Sequence, residues 1–289
     1  MQTPEQFRTQ LEAQRHRTQM IYLVHTAAYA IAIVLLALRI YVPAMVLGIG
    51  NLMLHFLFMR KLLIRYSQAV TNANLLCGLC QGLEDPCCTE GSGMPDAEFE
   101  ALKLLPLRQG KGSSLMTHNG FAGKMGDLSV KGYEATLHYP YVKNNGKTDY
   151  HFLNGTLLVS RGEKKDGAQW LLLHKSLLEK KAEQLFLEAN GYRNIAFSAY
   201  GLDDFQLYTT QESATVPKAL CQHLELLARG AKSLGAVGLG GDFCAVFLVN
   251  RFYTRRVKVR ELPDVPALCA NPLPERDAVL ALMRWWHKQ

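Results

Sequence analysis

The chain has 289 residues, a formal net charge of +7 and 48% hydrophobic residues, which allows one or two domains. Residues 1–65 carry +5 of that charge, so the remainder is nearly neutral and has no long basic stripe. Nucleic acid is therefore excluded as the expected partner, because its recognition needs clustered basic residues. The basic cluster at 251–260 alternates like a strand and predicts a solvated strand face, or one that meets an anionic lipid leaflet.

Two apolar runs dominate the N-terminal region. Residues 20–38 and 40–59 are 19 and 20 residues long and contain no Asp, Glu, Lys or Arg. Because a bilayer core of about 30 Å needs about 20 helical residues, each run is long enough to span a membrane once. Arg39 lies between the runs and predicts the turn of a helical hairpin at 39–42, with the second span starting near Pro43.

Three other interpretations compete with the hairpin. Buried core helices would carry apolar stripes, whereas these runs are apolar all round. A cleaved signal peptide has a shorter apolar core, and a single re-entrant segment is the third alternative. Six Lys or Arg residues flank the runs on one side, against Arg39 on the other. The hairpin therefore predicts a multi-pass protein of the cell membrane with both termini in the cytoplasm.

This topology divides the chain into four segments. They are a cytoplasmic N-terminal segment at 1–19, the transmembrane hairpin at 20–59, a helical stalk and linker at 60–94, and a cytoplasmic domain at 95–289. In the stalk, apolar residues recur at steps of four and three, which predicts a seam that could pair in a homo-oligomer or pack on the domain. The seam consists of Leu62, Tyr66, Ala69, Ala73 and Leu76. Gly, Pro and Ser residues at 82–94 predict the end of this helix.

Folding the two runs back on each other pairs positions whose numbers sum to about 80. His25 then meets His55, and Tyr29 lies level with Asn51. Ala32 faces Gly48 and Ala30 faces Gly50, which would permit close helix packing. One interpretation is a polar site inside the membrane. The favoured one is ordinary interhelical hydrogen bonding, with the histidines near the headgroups.

The rest of the chain mixes strands and helices. Period-two alternation or short apolar runs predict strands at 128–139, 150–160, 168–175, 194–201, 205–210, 242–250 and 255–261, with a hairpin turn at 144–146. Helical periodicity predicts helices at 95–105, 217–233 and 275–288, and 175–189 is ambiguous. Because most strand connections are short, the predicted fold class is α+β with a mainly antiparallel sheet and packed helices.

Three dispersed motifs resemble a family of bacterial membrane proteins known only as a domain of unknown function. They are "FLNGTLLVS" with Phe152 and Gly155, "IAFSAYGLDDFQLYTT", and the helix that follows together with "FCAVFLVN" and the C-terminal helix. The likeness spans most of the chain, although Gly201 with Asp203 and Asp204 is shifted from the usual turn. The resemblance implies two N-terminal spans and a cytoplasmic α+β domain, and it implies no known activity.

Four of the seven cysteines follow the pattern Cys77-x2-Cys80-x6-Cys87-Cys88. Four thiolates can hold a tetrahedral zinc ion. Adjacent cysteines are poor partners on one ion, however, and the six-residue gap is short for a zinc ribbon. Disulfides are disfavoured in the cytoplasm. We expect ordinary thiols, with zinc binding or a redox switch as alternatives, and small core side chains at Cys221, Cys244 and Cys269.

Other candidate motifs give weak signals. The glycine-rich stretch 233–243 follows a helix and precedes a strand, the reverse of a phosphate-binding loop, so we expect a helix stop and a turn. Candidates for acid–base chemistry are Asp203, Asp204, His174 and His223, but no spacing among them demands catalysis. Of Trp285 and Trp286, one is expected in the core and the other at a surface that meets membrane or partner.

No catalytic, cofactor-binding or metal-binding residue is therefore assigned from the sequence, and no cofactor is expected. The predicted function is a membrane-anchored binding or scaffold module with a protein partner and the lipid bilayer as its surroundings. A membrane-tethered sensor of a small ligand or metal is the first alternative. A membrane-bound enzyme is the second, because the sequence favours a non-enzyme without deciding the question.

Overall fold

The computed structural model describes residues 3–89, 93–105, 114–143, 145–163, 167–177, 181–212, 214–254, 258 and 261–289. The chain forms two compact units. The helical unit comprises Met1–Leu79 and Thr254–Asn271, and the sheet unit comprises Cys80–Tyr253 and Pro272–Gln289. Together they give an α+β protein with one large antiparallel sheet, as predicted.

The helical unit is built from two long antiparallel helices. The first, α1, runs from Pro4 to Ala37 and begins with a capping box between Thr3 and Gln6. The second is continuous through α2 (Tyr41–Leu54), a π-helical turn (His55–Met59), α3 (Arg60–Asn74) and a second π-helical turn (Leu75–Leu79). A short helix, α7 (Val265–Cys269), completes the unit. Both long helices are long and apolar enough to span a membrane.

The two helices meet along a seven-residue repeat. The buried residues of α1 are Leu11, Thr18, His25 and Ala32, the spacing of a left-handed coiled-coil seam. The second helix buries Ala44, Asn51, Met59 and Tyr66. Its step from Asn51 to Met59 is eight residues because the π-helical turn inserts one extra residue.

The turn lies earlier than predicted. Arg39 has a left-handed φ of 61° and α2 already begins at Tyr41. The predicted meeting of His25 with His55 is present, and Asn51 Nδ2 donates to the His25 backbone carbonyl oxygen. The predicted packing of Gly48 and Gly50 against alanines is wrong, since a Cβ added at either glycine would have no neighbour within 4 Å. The buried small residues are Ala32 and Ala44.

The sheet unit contains nine antiparallel strands in the order β1-β2-β3-β4-β9-β8-β5-β7-β6. Their bounds are β1 Glu84–Thr89, β2 Ser114–Met125, β3 Leu128–Val142, β4 Thr148–Arg161, β5 Trp170–His174, β6 Arg193–Ile195, β7 Phe205–Thr209, β8 Leu234–Leu239 and β9 Phe243–Val249. Four helices accompany them: α4 Asp96–Ala101, α5 Lys181–Ala189, α6 Lys218–Gly230 and α8 Arg276–His287.

Most predicted elements are present, with four differences. The glycine-rich stretch 233–243 is not only a turn, because it contains the fully buried strand β8. The linker at 82–94 contains β1, and β2 was not predicted. Of the predicted strand at 194–201, only the short strand β6 is present. The segment 175–189, which was ambiguous between helix and strand, contains the 3-10 turn Lys175–Leu177 and α5. The predicted strand 255–261 and the turn at 144–146 fall partly or wholly outside the described residues.

The sheet has two faces with different coverage. One face, the core face, packs against α4 and the residues after it in a cluster that includes Phe99, Leu104, Leu157 and Phe247. On the opposite face, α8 packs on β9 and also contacts α6. Tyr253 packs on this face beside Phe121 of β2, and its hydroxyl donates to the Asn119 carbonyl oxygen at 2.6 Å. On β4, Thr156 donates to the Arg251 carbonyl oxygen and Ser160 lies 2.9 Å from His287 on α8.

Candidate functional site

The opposite face also carries a cluster of large side chains that are exposed or partly exposed. His138 on β3 is paired with Phe152 on β4, and Tyr150 lies two residues before Phe152 on the same side of its strand. The His138 ring stacks on Phe152 at a centroid distance of 4.3 Å and lies 4.6 Å from the Tyr150 ring. Met116 projects from the same face of β2. We call Met116, His138, Tyr150 and Phe152 the aromatic surface.

Three side chains of this surface are exposed to solvent. Phe152 is 59% exposed, Met116 57% and Tyr150 40%. Exposed apolar clusters of this kind on a sheet face are typical of protein interfaces. Within the described residues, the buried Nε2 atom of His138 has no hydrogen-bond partner. A buried ring nitrogen without a partner is uncommon in folded proteins.

A buried carboxylate lies on the same face of β3 as His138, further along the strand. Glu134 has a side chain only 1% exposed and accepts a hydrogen bond from Asn119 Nδ2 at 2.8 Å. The Nε2 atom of His118, which is half exposed, lies 3.3 Å from the same carboxylate. This group of polar contacts fixes β2 and β3 beside the aromatic surface, because a buried carboxylate without donors would be costly.

A separate polar pocket of about 600 Å³ brings together three of the four acid–base candidates. His174 comes from the end of β5, while Asp203 and Asp204 come from the turn before β7. This turn is held to the 3-10 turn after β5, since the Lys175 amide donates to the Asp204 carbonyl oxygen at 2.8 Å. Lys232, from the loop between α6 and β8, completes the polar lining.

The imidazole in this pocket has a defined orientation. The amide and hydroxyl of Ser176 lie 3.2 and 2.7 Å from His174 Nδ1, and the Phe205 ring packs edge-on at 5.0 Å. Because Nδ1 accepts from the amide, the neutral ring carries its proton on Nε2. Within the described part of the chain, neither Asp203 nor Asp204 forms an ion pair through its carboxylate. The pocket therefore presents donors and acceptors suited to a small polar ligand.

The fourth acid–base candidate lies elsewhere. His223 on α6 stacks on Trp285 at 4.3 Å and its Nδ1 atom lies 2.9 Å from the Ala219 carbonyl oxygen. Trp286 donates its indole N–H to the Gly240 carbonyl oxygen at 2.8 Å. Both tryptophans are half-buried. These contacts place His223 in helix packing rather than in the polar pocket.

The four clustered cysteines are divided between the two units. Cys77 belongs to the helical unit, where its side chain is hydrogen-bonded to Cys269. The other three belong to the sheet unit, and Cys87 and Cys88 are neighbours on β1. Burial raises the pKa of the Cys80 thiol to about 12. Among all described residues, no group of three or more His, Cys, Asp or Glu side chains is arranged to hold a metal ion.

The two hairpin histidines do meet. His25 Nε2 lies 3.1 Å from His55 Nδ1, and Asn51 Nδ2 donates to the His25 carbonyl oxygen at 2.9 Å. His25 and Asn51 are buried between the helices. These bonds satisfy polar groups within an apolar pair of helices, which is the favoured structural interpretation of the pair.

No motif in the sequence singles out the aromatic surface. Its signal was present in the same alternation that predicted the strands, since His138, Tyr150 and Phe152 occupy the positions between core residues such as Leu137 and Leu153. Period-two alternation with polar residues outside is ordinary, whereas alternation with aromatic residues outside indicates a second buried or binding face.

Comparisons with known proteins add little to this geometry. No protein-family model matches the chain, and no curated protein matches it. Among solved structures, the chain is similar to the crystal structure of the mycobacterial trehalose monomycolate transport factor A, with 11% identity and a TM-score of 0.28. That alignment covers 74% of this chain and 96% of the other. A likeness at this level supports no statement about fold or function here, and the resemblance inferred from sequence motifs stays a prediction.

Proposed function

We propose that this chain is a membrane-anchored binding module whose sheet unit docks a protein partner through the aromatic surface. The observation that carries the proposal is the cluster of Phe152, Tyr150 and Met116, exposed on a sheet whose other apolar side chains are mostly buried. Aromatic and Met side chains are enriched in protein interfaces, where Phe and Tyr give large contact areas at a small cost in side-chain entropy.

The anchor in this proposal is the pair of long helices. They lie in the membrane as a hairpin, with Arg39 at the far side and both termini in the cytoplasm. The charge asymmetry of the flanks supports this orientation. Large side chains such as Leu23, Ile33 and Met53 are at least 60% exposed on these helices, which suits contact with lipid. The architecture agrees with that of the bacterial membrane family that the motifs resemble.

Photocrosslinking in intact membranes tests the docking surface. A benzophenone amino acid at Phe152 replaces one aromatic ring by another, and the same amino acid at Leu226 on α6 is the control. Both native side chains are 59% exposed. We expect a discrete adduct from position 152 that disappears when Tyr150 and Met116 are both changed to Ser. Equal adducts from both positions, or none from position 152, would contradict the proposal.

Labelling tests the anchor separately. A cysteine introduced at Ile40 should react with a membrane-impermeant maleimide from outside intact cells, while Cys87 should react only after the membrane is opened. Ile40 is exposed beside the hairpin turn, and Cys87 is exposed on β1. Labelling of Cys87 from outside would reverse the orientation. Recovery of the full chain in the soluble fraction without detergent would refute the membrane anchor.

The polar pocket supports a second candidate function, which is binding of a small polar ligand by a membrane-tethered sensor. Its support is the convergence of His174, Asp203, Asp204 and Lys232. Exchanging Asp203 and Asp204 together for Asn should abolish ligand-induced thermal stabilisation in a metabolite screen. If the wild-type chain is stabilised by no metabolite, this candidate is refuted and the enzyme interpretation weakens with it.

A further inference from the structure

The helical unit contains a long groove with a chemically divided lining. Its volume is about 1320 Å³ and its walls come from α1 and the second long helix. On α1 the lining residues Arg17, Ile21, Val24 and Ala28 follow one another at steps of four, three and four, so they share one helix face. The wall from the second helix extends from Val42 to Arg65, or about 34 Å at 1.5 Å per residue.

Charge is confined to one end of the groove. Because the helices are antiparallel, Arg17 lies at the same end as Lys61 and Arg65, and all three line the groove. No Asp or Glu is among the lining residues. Within the described residues, none of the three cations forms an ion pair with a carboxylate. The remaining wall is apolar except for His25 and Asn51, whose polar groups are bonded across the helix pair.

The apolar part has room for a chain-like ligand. Gly50 lines the groove, and a Cβ added there would have no neighbour within 4 Å. Because glycine has no side chain, the space in front of Gly50 stays open as a channel, whereas a larger side chain at this position would fill it. The length of the wall, about 34 Å, is close to the hydrocarbon thickness of a bilayer.

We propose that this groove binds an anionic glycerophospholipid, with the phosphate at Arg17, Lys61 and Arg65 and an acyl chain along the apolar wall past Gly50. The inference rests on the membrane placement in the proposed function. Basic pockets between transmembrane helices on the cytoplasmic side bind anionic headgroups through their charge. The divided lining fits a molecule with one anionic end and one apolar end.

A second copy of the chain fits the groove less well. Two hairpins inserted with the same orientation would bring Arg17, Lys61 and Arg65 of both copies to the same depth. Like charges placed across an interface oppose association. A zwitterionic lipid is also disfavoured, because no carboxylate in the lining pairs with its cationic group.

Native mass spectrometry of the full chain in mild detergent tests the proposal. The probes are phosphatidylglycerol and phosphatidylcholine with identical acyl chains. We compare the wild type with the double variant Arg17→Gln/Arg65→Gln. The matched control is Arg8→Gln/Arg60→Gln, which removes two exposed flanking charges that do not line the groove. A third variant, Gly50→Leu, fills the apolar channel and leaves the charges in place.

The expected result is at least tenfold tighter binding of phosphatidylglycerol than of phosphatidylcholine by the wild type. Each basic residue near a membrane surface contributes about fivefold in affinity, so the groove double variant should lose about 30-fold. Gly50→Leu should lose at least tenfold, and the control should lose less than threefold.

Several outcomes would overturn the proposal. They are equal binding of both lipids, equal loss in the groove and control variants, unchanged binding in Gly50→Leu, or displacement of the lipid by millimolar inorganic phosphate. A dimer without bound lipid would instead identify a second copy as the occupant. These outcomes are distinct from failure of the proposed function, which appears as recovery of the chain in the soluble fraction or as absence of the Phe152 adduct.

Discussion

Gly155 offers a strong test of how the sheet unit is packed. It lies on β4 opposite Val249 of β9, and β4 is paired on its other side with β3. A Cβ added at Gly155 would lie 2.0 Å from the Leu248 carbonyl oxygen, whereas ordinary van der Waals contacts are 3.4–4 Å. Gly155→Ala therefore requires about 1.4 Å of movement between two backbones, and neither can move as a side chain would.

The expected cost follows from this geometry. Overpacking of a folded core costs about 1–3 kcal/mol, and we expect the upper end because the obstacle is backbone. For a domain of 150–250 residues, about 3 kcal/mol corresponds to a decrease in Tm of about 6–12 °C. Gly167→Ala is the matched control, since a Cβ there has no neighbour within 4 Å. It should change stability by less than about 1 kcal/mol.

Tryptophan fluorescence during urea denaturation is the assay. Trp170, Trp285 and Trp286 all belong to the sheet unit, so the signal reports that unit in the full chain in detergent. A urea midpoint for Gly155→Ala equal to that of the wild type would refute the packing argument. An equal loss of stability in Gly167→Ala would show that any added methyl group is harmful and would refute it as well.

Three further predictions concern the sheet unit. Cys87, which is exposed, should be alkylated within minutes at pH 8, while Cys80, whose pKa is raised to about 12 by burial, should react only after denaturation, as peptide mapping would show. Burial also raises the pKa of Tyr192. Cys80 and Tyr192 stay protonated in the folded state, while their unfolded counterparts ionise above about pH 9 for the thiol and about pH 10 for the phenol. The free energy of unfolding should therefore fall as the pH rises from 9 toward 12, by at most about 1.4 kcal/mol per pH unit for each group. Glu134→Ala should lower the free energy of unfolding by about 1–3 kcal/mol because Asn119 Nδ2 loses its acceptor, and Glu134→Gln, which retains an amide oxygen, should lose less in the same urea assay.

Each of these predictions has an outcome that contradicts it. Rapid alkylation of Cys80 in the folded chain would show that it is not buried as described. A free energy of unfolding that is constant or rises above pH 9 would be inconsistent with neutral buried Cys80 and Tyr192. An unchanged urea midpoint in Glu134→Ala would remove the structural role assigned to that carboxylate.

The helical elements were predictable because their signals are local. Two runs of about 20 apolar residues separated by Arg39 are sufficient to predict two long helices. Their packing register was less predictable. It depends on Arg39 adopting a left-handed φ and on the extra residue in the π-helical turn His55–Met59, and neither leaves a clear local signal.

The sheet shows the same division between local and non-local information. Alternation and short apolar runs predict β3, β4 and β9. The segment of β8 instead resembles a loop, because Gly235 and Gly238 within it and Gly240 directly after it are typical turn residues. Two of these glycines face large side chains. A Cβ added at Gly235 would lie 2.3 Å from the Val249 side chain, and one added at Gly240 would lie 2.2 Å from the Phe243 side chain. These two positions must lack a side chain because residues of β9 pack against them, and the local sequence does not show that packing.

The sequence by itself therefore determined the two long apolar helices, the α+β class and the residue types available for function. Only the tertiary structure decided which of those residues meet. It placed His174 beside Asp203 and Asp204, moved His223 into helix packing, divided the four cysteines between two units, and left Phe152 exposed beside His138. The physical reason is that periodicity encodes which side of an element is apolar, whereas strand order and helix register decide which neighbour covers that side.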